Sequence, residues 1–371
     1  FATQIIGISD NQQHELFCGR VRVSFKIAIK GRAEAVVAEM GETILAAALR
    51  AGVPYPCGCR SGNCGACKST LVSGEIEMSP YSDYALSKAE REAGHILACR
   101  AVPWSDCAVA WLEADDVAMH PIRHLDCKVT AVEQATHDIR IVRMAIQAGG
   151  PFDFSAGQYA SVIFAPGASG AGRLPPRDFS MANRPGGDTL EFHIRLMPGG
   201  AVTPYVTGML APGEHVRVVG PYGNAFYRPR HAGPVLAIAG GSGLAPIKST
   251  VEEALERGAK QPIHLYFGAR AERDLYLEAH FQALAAQHPN LKFVPVLSEP
   301  DARSERRTGY LSEAIGQDFV DLDGFKAYLA GPPIMVETCT MVLKRLGLAR
   351  QNCHADAFYT EADKAKLETV P

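Results

Sequence analysis

The 371-residue sequence has no hydrophobic run long enough to cross a membrane. Its most apolar stretch, residues 235–246, is broken by glycines and is far shorter than the ~20 residues that a membrane helix needs. The first residues contain no basic segment followed by an apolar core, so no secretory signal peptide is expected. The sequence therefore predicts neither a membrane anchor nor export.

The sequence also has no marked excess of one charge. Its 37 lysines and arginines stand against 40 aspartates and glutamates, which gives a net charge of −3, and no run of five basic residues occurs. A nucleic-acid-binding protein would need a basic patch, so that class of function is not expected. Internal repeats are absent too, and 47% hydrophobic residues in a chain of this length predict two or three globular domains.

Cysteine, in contrast, is abundant, and four of the ten cysteines have a characteristic spacing. Cys59, Cys64 and Cys67 form a C-x4-C-x2-C run, and Cys99 follows near the end of the same predicted domain. This is the ligand spacing of a plant-type [2Fe–2S] cluster, which carries one electron at a time. Cysteines used as metal ligands in a long chain favour a reducing compartment, so we predict a cytoplasmic protein.

A zinc site built from Cys57, Cys59, Cys64 and Cys67 is the alternative use of these thiols. It leaves Cys99 without a role and does not explain the spacing of the run. Cys57 could also replace Cys59 as the first cluster ligand, but the gap to Cys64 would then be six residues. We predict that Cys57 is a free thiol beside the cluster. The remaining cysteines are expected to pack as small hydrophobic side chains, and they are Cys18, Cys107, Cys127, Cys339 and Cys353.

The pattern of hydrophobic residues divides the chain into three domains. After an N-terminal extension of residues 1–20, strands and a short helix at 43–50 predict an α+β unit at 21–118, which a linker at 119–124 follows. Short strands separated by turn residues predict an antiparallel β-barrel at 125–230. The predicted strands are 127–132, 139–146, 159–164, 177–181 and 190–196. From 231 to 371 strands and helices alternate, which predicts an α/β domain with a parallel sheet. The predicted strands are 234–239, 263–267, 292–297 and 325–329, and the predicted helices are 246–257, 275–286 and 334–346.

Within the predicted barrel, Arg177, Asp178, Phe179 and Ser180 resemble the Arg-x-Tyr-Ser flavin motif of the ferredoxin–NADP reductase family. The resemblance implies that Arg177 pairs with the FAD pyrophosphate and that Ser180 lies near flavin N5. A guanidinium can bind phosphate through two parallel hydrogen bonds, which suits the first role. Phe179 replaces the tyrosine of the motif, so it keeps the aromatic face and loses the hydroxyl.

Residues 198–203 form a glycine-rich turn that resembles the second FAD element of this family. There the turn opens a helix whose N-terminus meets the pyrophosphate. The preceding strand carries two further candidate cofactor-binding residues, His193 and Arg195. Of these, Arg195 would hold adenine or ribose, whereas a structural role is the favoured interpretation of His193. The candidates in the turn are Gly199, Gly200 and Thr203.

Three strand ends in the last domain resemble the NAD(P)-binding elements of the same family. Residues 239–246 follow a buried strand and precede a helix, but Pro246 stands where a Rossmann fingerprint has its third glycine, so a Rossmann dehydrogenase is disfavoured. Residues 266–270 and 330–335 match the next two strand ends, and parallel strands bring such ends to one crevice. The candidate nucleotide-binding residues are Gly241, Ser242, Gly243, Tyr266, Gly268, Arg270, Gly331 and Pro332.

Glu299, after the third strand of this domain, favours NADH over NADPH. Its carboxylate would repel the 2′-phosphate of NADPH and could accept a hydrogen bond from the 2′-hydroxyl of NADH. Arg303, Arg306 and Arg307 lie close by in the sequence and would attract a phosphate, unless they belong to a solvated loop.

Residues 355–359 resemble the closing strand of the family, where an acidic and an aromatic residue reach the flavin ring. The resemblance implies catalytic roles for Ser180, Asp356 and Phe358. Phe358 is the candidate to stack on the isoalloxazine ring until nicotinamide displaces it. Tyr359 is the second choice, and a core position is the alternative.

The order of the iron–sulfur, flavin and nicotinamide motifs resembles the reductase components of bacterial oxygenases. Residues 136–140, 192–195, 266–270 and 355–359 resemble those that serve Rieske ring-hydroxylating dioxygenases of the naphthalene and terephthalate kinds. The resemblance implies a β-grasp ferredoxin domain, an FAD-binding antiparallel β-barrel and an NAD-binding α/β domain. Hydride from NADH would reach FAD, and single electrons would leave through the cluster to a Rieske oxygenase or Rieske-type ferredoxin.

Reductases of di-iron monooxygenases share this order of domains, and no residue of the sequence separates the two systems. A flavin-free redox-sensing or binding module fused to a degenerate reductase is an alternative of another class. The three nicotinamide strand ends argue against that alternative.

Overall fold

The computed structural model describes residues 24–112, 120–165, 172–302, 304–360 and 363. The predicted N-terminal extension, Cys18 and Arg303 lie outside the described residues. No helix within the described ranges combines the length and the apolar character needed to cross a membrane.

The N-terminal domain is a small α+β unit. Its elements are β1 (Ser24–Ile29), β2 (Val36–Glu39), α1 (Ile44–Arg50), β3 (Lys68–Ser73), β4 (Ile76–Met78), α2 (Lys88–Glu92), β5 (His95–Leu97), β6 (Ala101–Pro103) and β7 (Cys107–Trp111). Five strands form one sheet in the order β2-β1-β7-β3-β5, in which β1 and β7 are parallel, and β4 pairs with β6. Helix α1 begins after Thr43, whose hydroxyl accepts from the Ala46 N–H, and its buried side chains cover the sheet.

The second domain is an antiparallel sheet that closes almost completely into a barrel. Its elements are β8 (Arg123–Gln134), β9 (Ile139–Ala148), β10 (Tyr159–Phe164), β11 (Arg177–Ser180), β12 (Thr189–Arg195), α3 (Thr203–Gly208) and β13 (His215–Tyr222). The strand order is β11-β10-β13-β8-β9-β12, and a bridge between Met181 and Phe192 joins the two edges. Alternating side chains such as Val142, Met144 and Phe164 fill the interior.

Two features of this domain differ from the predictions. Strand β13 was not predicted, and it lies at the centre of the sheet between β10 and β8. Strand β8 begins at Arg123, inside residues 119–124 predicted as a linker, because Arg123 and His124 pair with Gly220 and Val219 of β13. The other domain limits stay predictions.

The third domain is a parallel sheet with helices on both faces. Its elements are β14 (Val235–Gly240), α4 (Leu244–Glu256), β15 (Ile263–Ala269), α5 (Glu278–Gln287), β16 (Leu291–Leu297), β17 (Arg307–Thr308), α6 (Leu311–Asp318), β18 (Lys326–Gly331), α7 (Pro333–Arg345) and β19 (Cys353–Ala357). The order β17-β16-β15-β14-β18-β19 puts the carboxyl ends of β15, β14 and β18 side by side. Ile139 and Ile141 of the barrel share one buried cluster with this sheet, which fixes the two domains relative to each other.

Candidate functional site

The cysteine loop directs backbone N–H groups at sulfur atoms. The N–H groups of Ser61 and Asn63 lie 3.5 and 3.3 Å from the Sγ of Cys59, and the Cys59 N–H lies 3.3 Å from the Sγ of Cys64. A Cβ on Gly58 would approach that Cys64 sulfur to 3.0 Å, so glycine lets the loop backbone pass close to this ligand. Donors arranged in this way stabilise thiolates and tune the potential of an iron–sulfur cluster.

The four predicted ligands form two pairs. Cys64 is the neighbour that acts most strongly on the pKa of the Cys59 thiol, and Cys99 is the neighbour that acts most strongly on that of Cys67. A zinc tetrahedron would need its sulfurs mutually about 3.8 Å apart. Among the described residues, one group of three or more metal-binding side chains has its ligand atoms within 4.8 Å of one another, and it contains no cysteine. A two-plus-two arrangement of thiols fits a binuclear cluster and not a single zinc ion.

Cys57 differs from the four in its surroundings. Its side chain is buried against the barrel domain, beside Tyr159 and the backbone of Gly223. Burial raises the pKa of the Cys57 thiol to about 11, whereas the hydrogen bond from Cys64 lowers the pKa of Cys59 to about 5. The Cys59 sulfur is the one that the N–H groups of Ser61 and Asn63 approach, so these surroundings support Cys59 as the ligand.

Ser180 and Asp356 meet where the barrel faces the parallel sheet. Ser180 ends β11 and is buried, and its hydroxyl lies 3.4 Å from Oδ2 of Asp356 in β19. Burial raises the pKa of Asp356 to about 7, with repulsion from Cys59 and Asp178 acting in the same direction. Two of the three predicted catalytic residues are therefore in contact although 176 positions separate them in the chain.

The other flavin candidates occupy different positions. Arg177 is half-buried and donates to the Pro176 carbonyl over 2.8 Å. The Phe179 ring packs into the barrel, edge to face with Phe164 at 6.5 Å between centroids. Gly199 and Gly200 lie in an exposed turn, and the hydroxyl of Thr203, at the start of α3, accepts from the Met197 N–H over 2.8 Å.

His193 and Arg195 both reach toward the dinucleotide turn. The Arg195 Nε donates to Asp138 over 2.7 Å, and a Cβ on Gly241 would lie 3.4 Å from Arg195 Nη1. His193 is buried, with Nδ1 3.0 Å from the Tyr276 hydroxyl, and that hydroxyl lies 3.4 Å from the Gly241 carbonyl. Tyr276 and Glu191 therefore hold the His193 ring from two sides, and the role of His193 stays a prediction. Tyr276 was missed by sequence reasoning.

The nucleotide crevice forms where three parallel strands end. A Cβ on Gly243 would lie 2.1 Å from the Ala330 carbonyl, so the turn after β14 and the end of β18 approach as closely as backbones allow. Ser242 and Gly268 are half-buried at this edge, Gly331 is buried there, and Pro332 is exposed. The structure does not bring Tyr266 into the crevice: its ring is fully buried beside α6 and its hydroxyl donates to Asp318.

Charged side chains near the crevice bear on the choice of nucleotide. Glu299 follows β16 and is exposed, and its N–H donates to the Arg270 carbonyl over 2.7 Å. The exposed Arg270 guanidinium lies 3.7 Å from Asp274. Arg306 pairs with Glu278 and Arg307 pairs with Asp318, so both nearby arginines already have a carboxylate partner.

Phe358 and Tyr359 have separate environments at the end of β19. Phe358 packs against the buried cluster shared by barrel and parallel sheet, and its N–H donates to the Gly331 carbonyl over 2.9 Å. The Tyr359 hydroxyl donates to the Asn63 carbonyl over 3.3 Å, so it contacts the cysteine loop. Tyr359 is thus an interdomain contact, a role that sequence reasoning did not assign to it.

Three family models match successive parts of this chain. They describe a 2Fe-2S iron–sulfur cluster binding domain at residues 27–103, an oxidoreductase FAD-binding domain at 126–227 and an oxidoreductase NAD-binding domain at 237–340. The reductase component of the naphthalene 1,2-dioxygenase/salicylate 5-hydroxylase systems of a Ralstonia species is 42% identical over 325 residues, covering 87% of this chain and 95% of that protein. The chain belongs to this family of iron–sulfur flavoprotein reductases.

Other members of the family serve other oxygenases. The reductase component of phenol 2-monooxygenase from a Pseudomonas species is 37% identical over 349 residues, covering 92% of this chain and 97% of that protein. A solved cytochrome P450 reductase of Amycolatopsis is 35% identical with a TM-score of 0.75, covering 90% of this chain and 98% of that one. The reductase described here is an oxidoreductase with FAD-binding, NAD-binding and [2Fe–2S] domains, which confirms the predicted fold class and cofactors.

Proposed function

We propose that this reductase takes electrons from NADH and delivers them singly to a Rieske oxygenase, or to its Rieske-type ferredoxin, in an aromatic ring-hydroxylating dioxygenase system. The observation that carries the proposal is the meeting of all three domains at one point. Ser180 contacts Asp356 of the parallel sheet, and Tyr159, paired with Ser180 across the barrel strands, donates to Gly58 of the cysteine loop over 2.7 Å. A chain built for electron transfer between nucleotide, flavin and cluster needs this convergence.

When bound, FAD accepts a hydride from NADH and the [2Fe–2S] cluster releases electrons one at a time. Cys59, Cys64, Cys67 and Cys99 would hold the cluster. Arg177 would bind the FAD pyrophosphate, since its one hydrogen bond in the described part of the chain leaves further N–H donors for phosphate oxygens. These roles follow from the donor atoms that the chain offers.

Asp356 would hold the proton that enters or leaves the flavin site when electron transfer changes the charge of that site. Its pKa of about 7 means that both protonation states of the carboxyl are populated at neutral pH. Ser180 lies at hydrogen-bond distance from Oδ2 and orients this carboxyl toward β11. A carboxyl group of this kind can take up or release a proton without a large cost in free energy.

The preference for NADH rests on Glu299. Its exposed carboxylate lies at the edge where the ribose end of the nucleotide would bind, and Arg306 and Arg307 are held by Glu278 and Asp318. A 2′-phosphate would meet a negative charge there, while a ribose hydroxyl could donate to it. Steady-state kinetics with both nucleotides test the assignment, and a larger kcat/KM for NADPH would refute it.

The choice of acceptor is supported by similarity, because the Ralstonia relative that serves dioxygenase and hydroxylase systems is more similar to this chain than the phenol monooxygenase reductase. The test is NADH-driven reduction of a Rieske-type ferredoxin and, in parallel, of a di-iron hydroxylase by the purified holoprotein. We expect flavin and cluster absorption bands in the protein as purified and faster reduction of the Rieske-type acceptor. Cluster bands without flavin bands, or faster reduction of the di-iron protein, would overturn the proposal.

A further inference from the structure

The cysteine loop carries an arginine with an unusual backbone conformation. Arg60 follows the ligand Cys59 and has a φ of +54°, in the left-handed region that residues other than glycine seldom adopt. Such a conformation costs free energy and persists only where surrounding contacts hold it. The contacts that hold Arg60 lie in another domain.

Arg60 crosses from the N-terminal domain to the barrel. Its guanidinium forms an ion pair with Asp178 of β11. The Cζ atom also lies 4.8 Å from the ring centroid of Tyr222 and 5.6 Å from that of Tyr159, so two aromatic faces surround the cation. Both side chains of the ion pair are about one-third exposed or less, which limits competition from water.

A second contact of the same loop lies one residue before Cys59. The Tyr159 hydroxyl donates to the Gly58 carbonyl over 2.7 Å, and Tyr159 is buried. Tyr159 pairs with Ser180 and with Tyr222 in the sheet, so the residues that receive the loop are held by neighbouring strands. The loop is thus attached on both sides of a cluster ligand to the strands that carry the flavin motif.

We propose that Arg60 is a positioning residue: with Asp178, Tyr159 and Tyr222 it forms an interdomain clamp that docks the cysteine loop on the flavin-binding strands. The clamp sets the distance and orientation between the two redox sites. One covalent connection, through residues 113–122, joins the N-terminal domain to the barrel, so noncovalent contacts must hold the docked orientation. This inference rests on the proposed electron-transfer function.

The test compares Arg60→Gln and Asp178→Asn, made in the full-length holoprotein. Hydrogen exchange followed by mass spectrometry should show faster exchange of the 57–63 amides in both variants, because the loop loses its attachment. Stopped-flow absorption should show cluster reduction slowed by about tenfold after NADH is added, while flavin reduction changes by less than about twofold. The EPR spectrum of the dithionite-reduced cluster should stay that of the parent protein.

Arg91→Gln is the matched control, because Arg91 stacks on Tyr81 and donates to its hydroxyl inside the N-terminal domain. It should leave exchange at residues 57–63 and cluster reduction unchanged. Because Arg60 and Asp178 act as one unit in the clamp, the double variant that carries both substitutions should reduce its cluster no more slowly than the slower of the two single variants. Unchanged exchange and cluster reduction in the single variants, or slowing that adds up in the double variant, would overturn the clamp.

If Arg60→Gln fails to incorporate a cluster, Asp178→Asn decides alone, since Asp178 lies in the barrel and not in the ligand loop. If the parent protein shows no cluster reduction by NADH, the proposed function fails and not only the clamp. A parent protein that transfers electrons while Asp178→Asn behaves identically contradicts the clamp alone.

Discussion

Cys57 and Cys59 are two positions apart in the sequence, and the structure gives their sulfur atoms different surroundings. Two backbone N–H groups approach the Cys59 sulfur, whereas the Cys57 thiol is buried against Tyr159 and Gly223 of the barrel. At the scale of single residues, the environment of an atom therefore decides its chemistry more than its residue type does.

This difference predicts the outcome of two serine substitutions. Cys59→Ser should abolish the [2Fe–2S] cluster because a thiolate ligand is lost, and Cys57→Ser should retain it. Iron and acid-labile sulfide per chain, together with the visible absorption of the cluster, measure the result. The opposite pattern would show that Cys57 is the first ligand.

Asp356 predicts a pH-dependent effect on stability. Its folded-state pKa of about 7 lies above the ~3.9 of an unfolded chain, so the folded protein binds this proton more tightly. The contribution of Asp356 to the free energy of unfolding is fully present below about pH 4 and is lost as the pH rises through about 7. Asp356→Asn should therefore raise the thermal midpoint of the holoprotein more at pH 8 than at pH 5.

The control for this experiment is Asp323→Asn, which removes an exposed carboxylate from a loop of the same domain. Its effect on the thermal midpoint should not depend on pH over this interval. A difference between Asp356→Asn and the parent protein that stays constant from pH 5 to pH 8 would contradict the raised pKa.

At the scale of secondary-structure elements, β12 of the barrel is connected to the dinucleotide turn of the parallel sheet. The Glu191 carboxylate can only accept from Nε2 of His193, at 3.2 Å, so the imidazole proton belongs on Nε2. Burial lowers the pKa of His193 and keeps the ring neutral, so Nδ1 accepts from the Tyr276 hydroxyl. Tyr276 in turn packs beside Gly241 of the turn.

Tyr276→Phe should therefore weaken nucleotide binding. The hydrogen bond that is lost, about 1 kcal/mol, joins Tyr276 to His193 and supports the turn without touching the nucleotide. The KM for NADH should therefore rise by at most about fivefold, with a smaller change in kcat, because the turn binds ground state and transition state alike. Tyr81→Phe removes a tyrosine hydroxyl that accepts a hydrogen bond in the N-terminal domain and should leave the KM unchanged. A fall in kcat at constant KM would point to a role in the chemical step instead.

At the scale of the whole molecule, the N-terminal domain contacts both other domains. The cysteine loop meets the barrel through Arg60, and it meets the parallel sheet through the Tyr359 hydroxyl. Farther from the cysteines, Arg350 forms an exposed ion pair with Glu90 of α2. The contact near the cysteines is half-buried and the distant one is exposed, so the two should contribute differently to holding the N-terminal domain against the parallel-sheet domain.

Tyr359→Phe should weaken the attachment of the N-terminal domain to the parallel-sheet domain more than Arg350→Gln does. Tyr359 is half-buried and its hydroxyl contacts Asn63 and Glu337, whereas an exposed ion pair contributes about 0–1 kcal/mol. Hydrogen exchange at residues 61–65 measures the effect, with cluster content as a check on folding. Equal exchange in the two variants would mean that the hydroxyl does not help to hold the domains together.

Local patterns predicted most of the fold. The helix after Thr43 and the strand–helix alternation from residue 234 onward were predicted because periodicity and capping residues lie close together in the sequence. Strand β13 was missed although His215, Val216, Arg217 and Val218 alternate between polar and apolar residues. Helix α6 was missed because its N-cap, Tyr310, is not a capping residue type and Gly316 interrupts its helical pattern.

The sequence by itself determined the cofactors of this protein, because cluster ligands and nucleotide turns are short-range motifs whose spacing reflects local chemistry. Only the tertiary structure decided which residues meet. Ser180 and Asp356, Arg60 and Asp178, and Tyr359 and Asn63 are each separated by more than 100 positions and are in contact. Such contacts depend on how domains pack, and no local pattern in a single sequence records that packing.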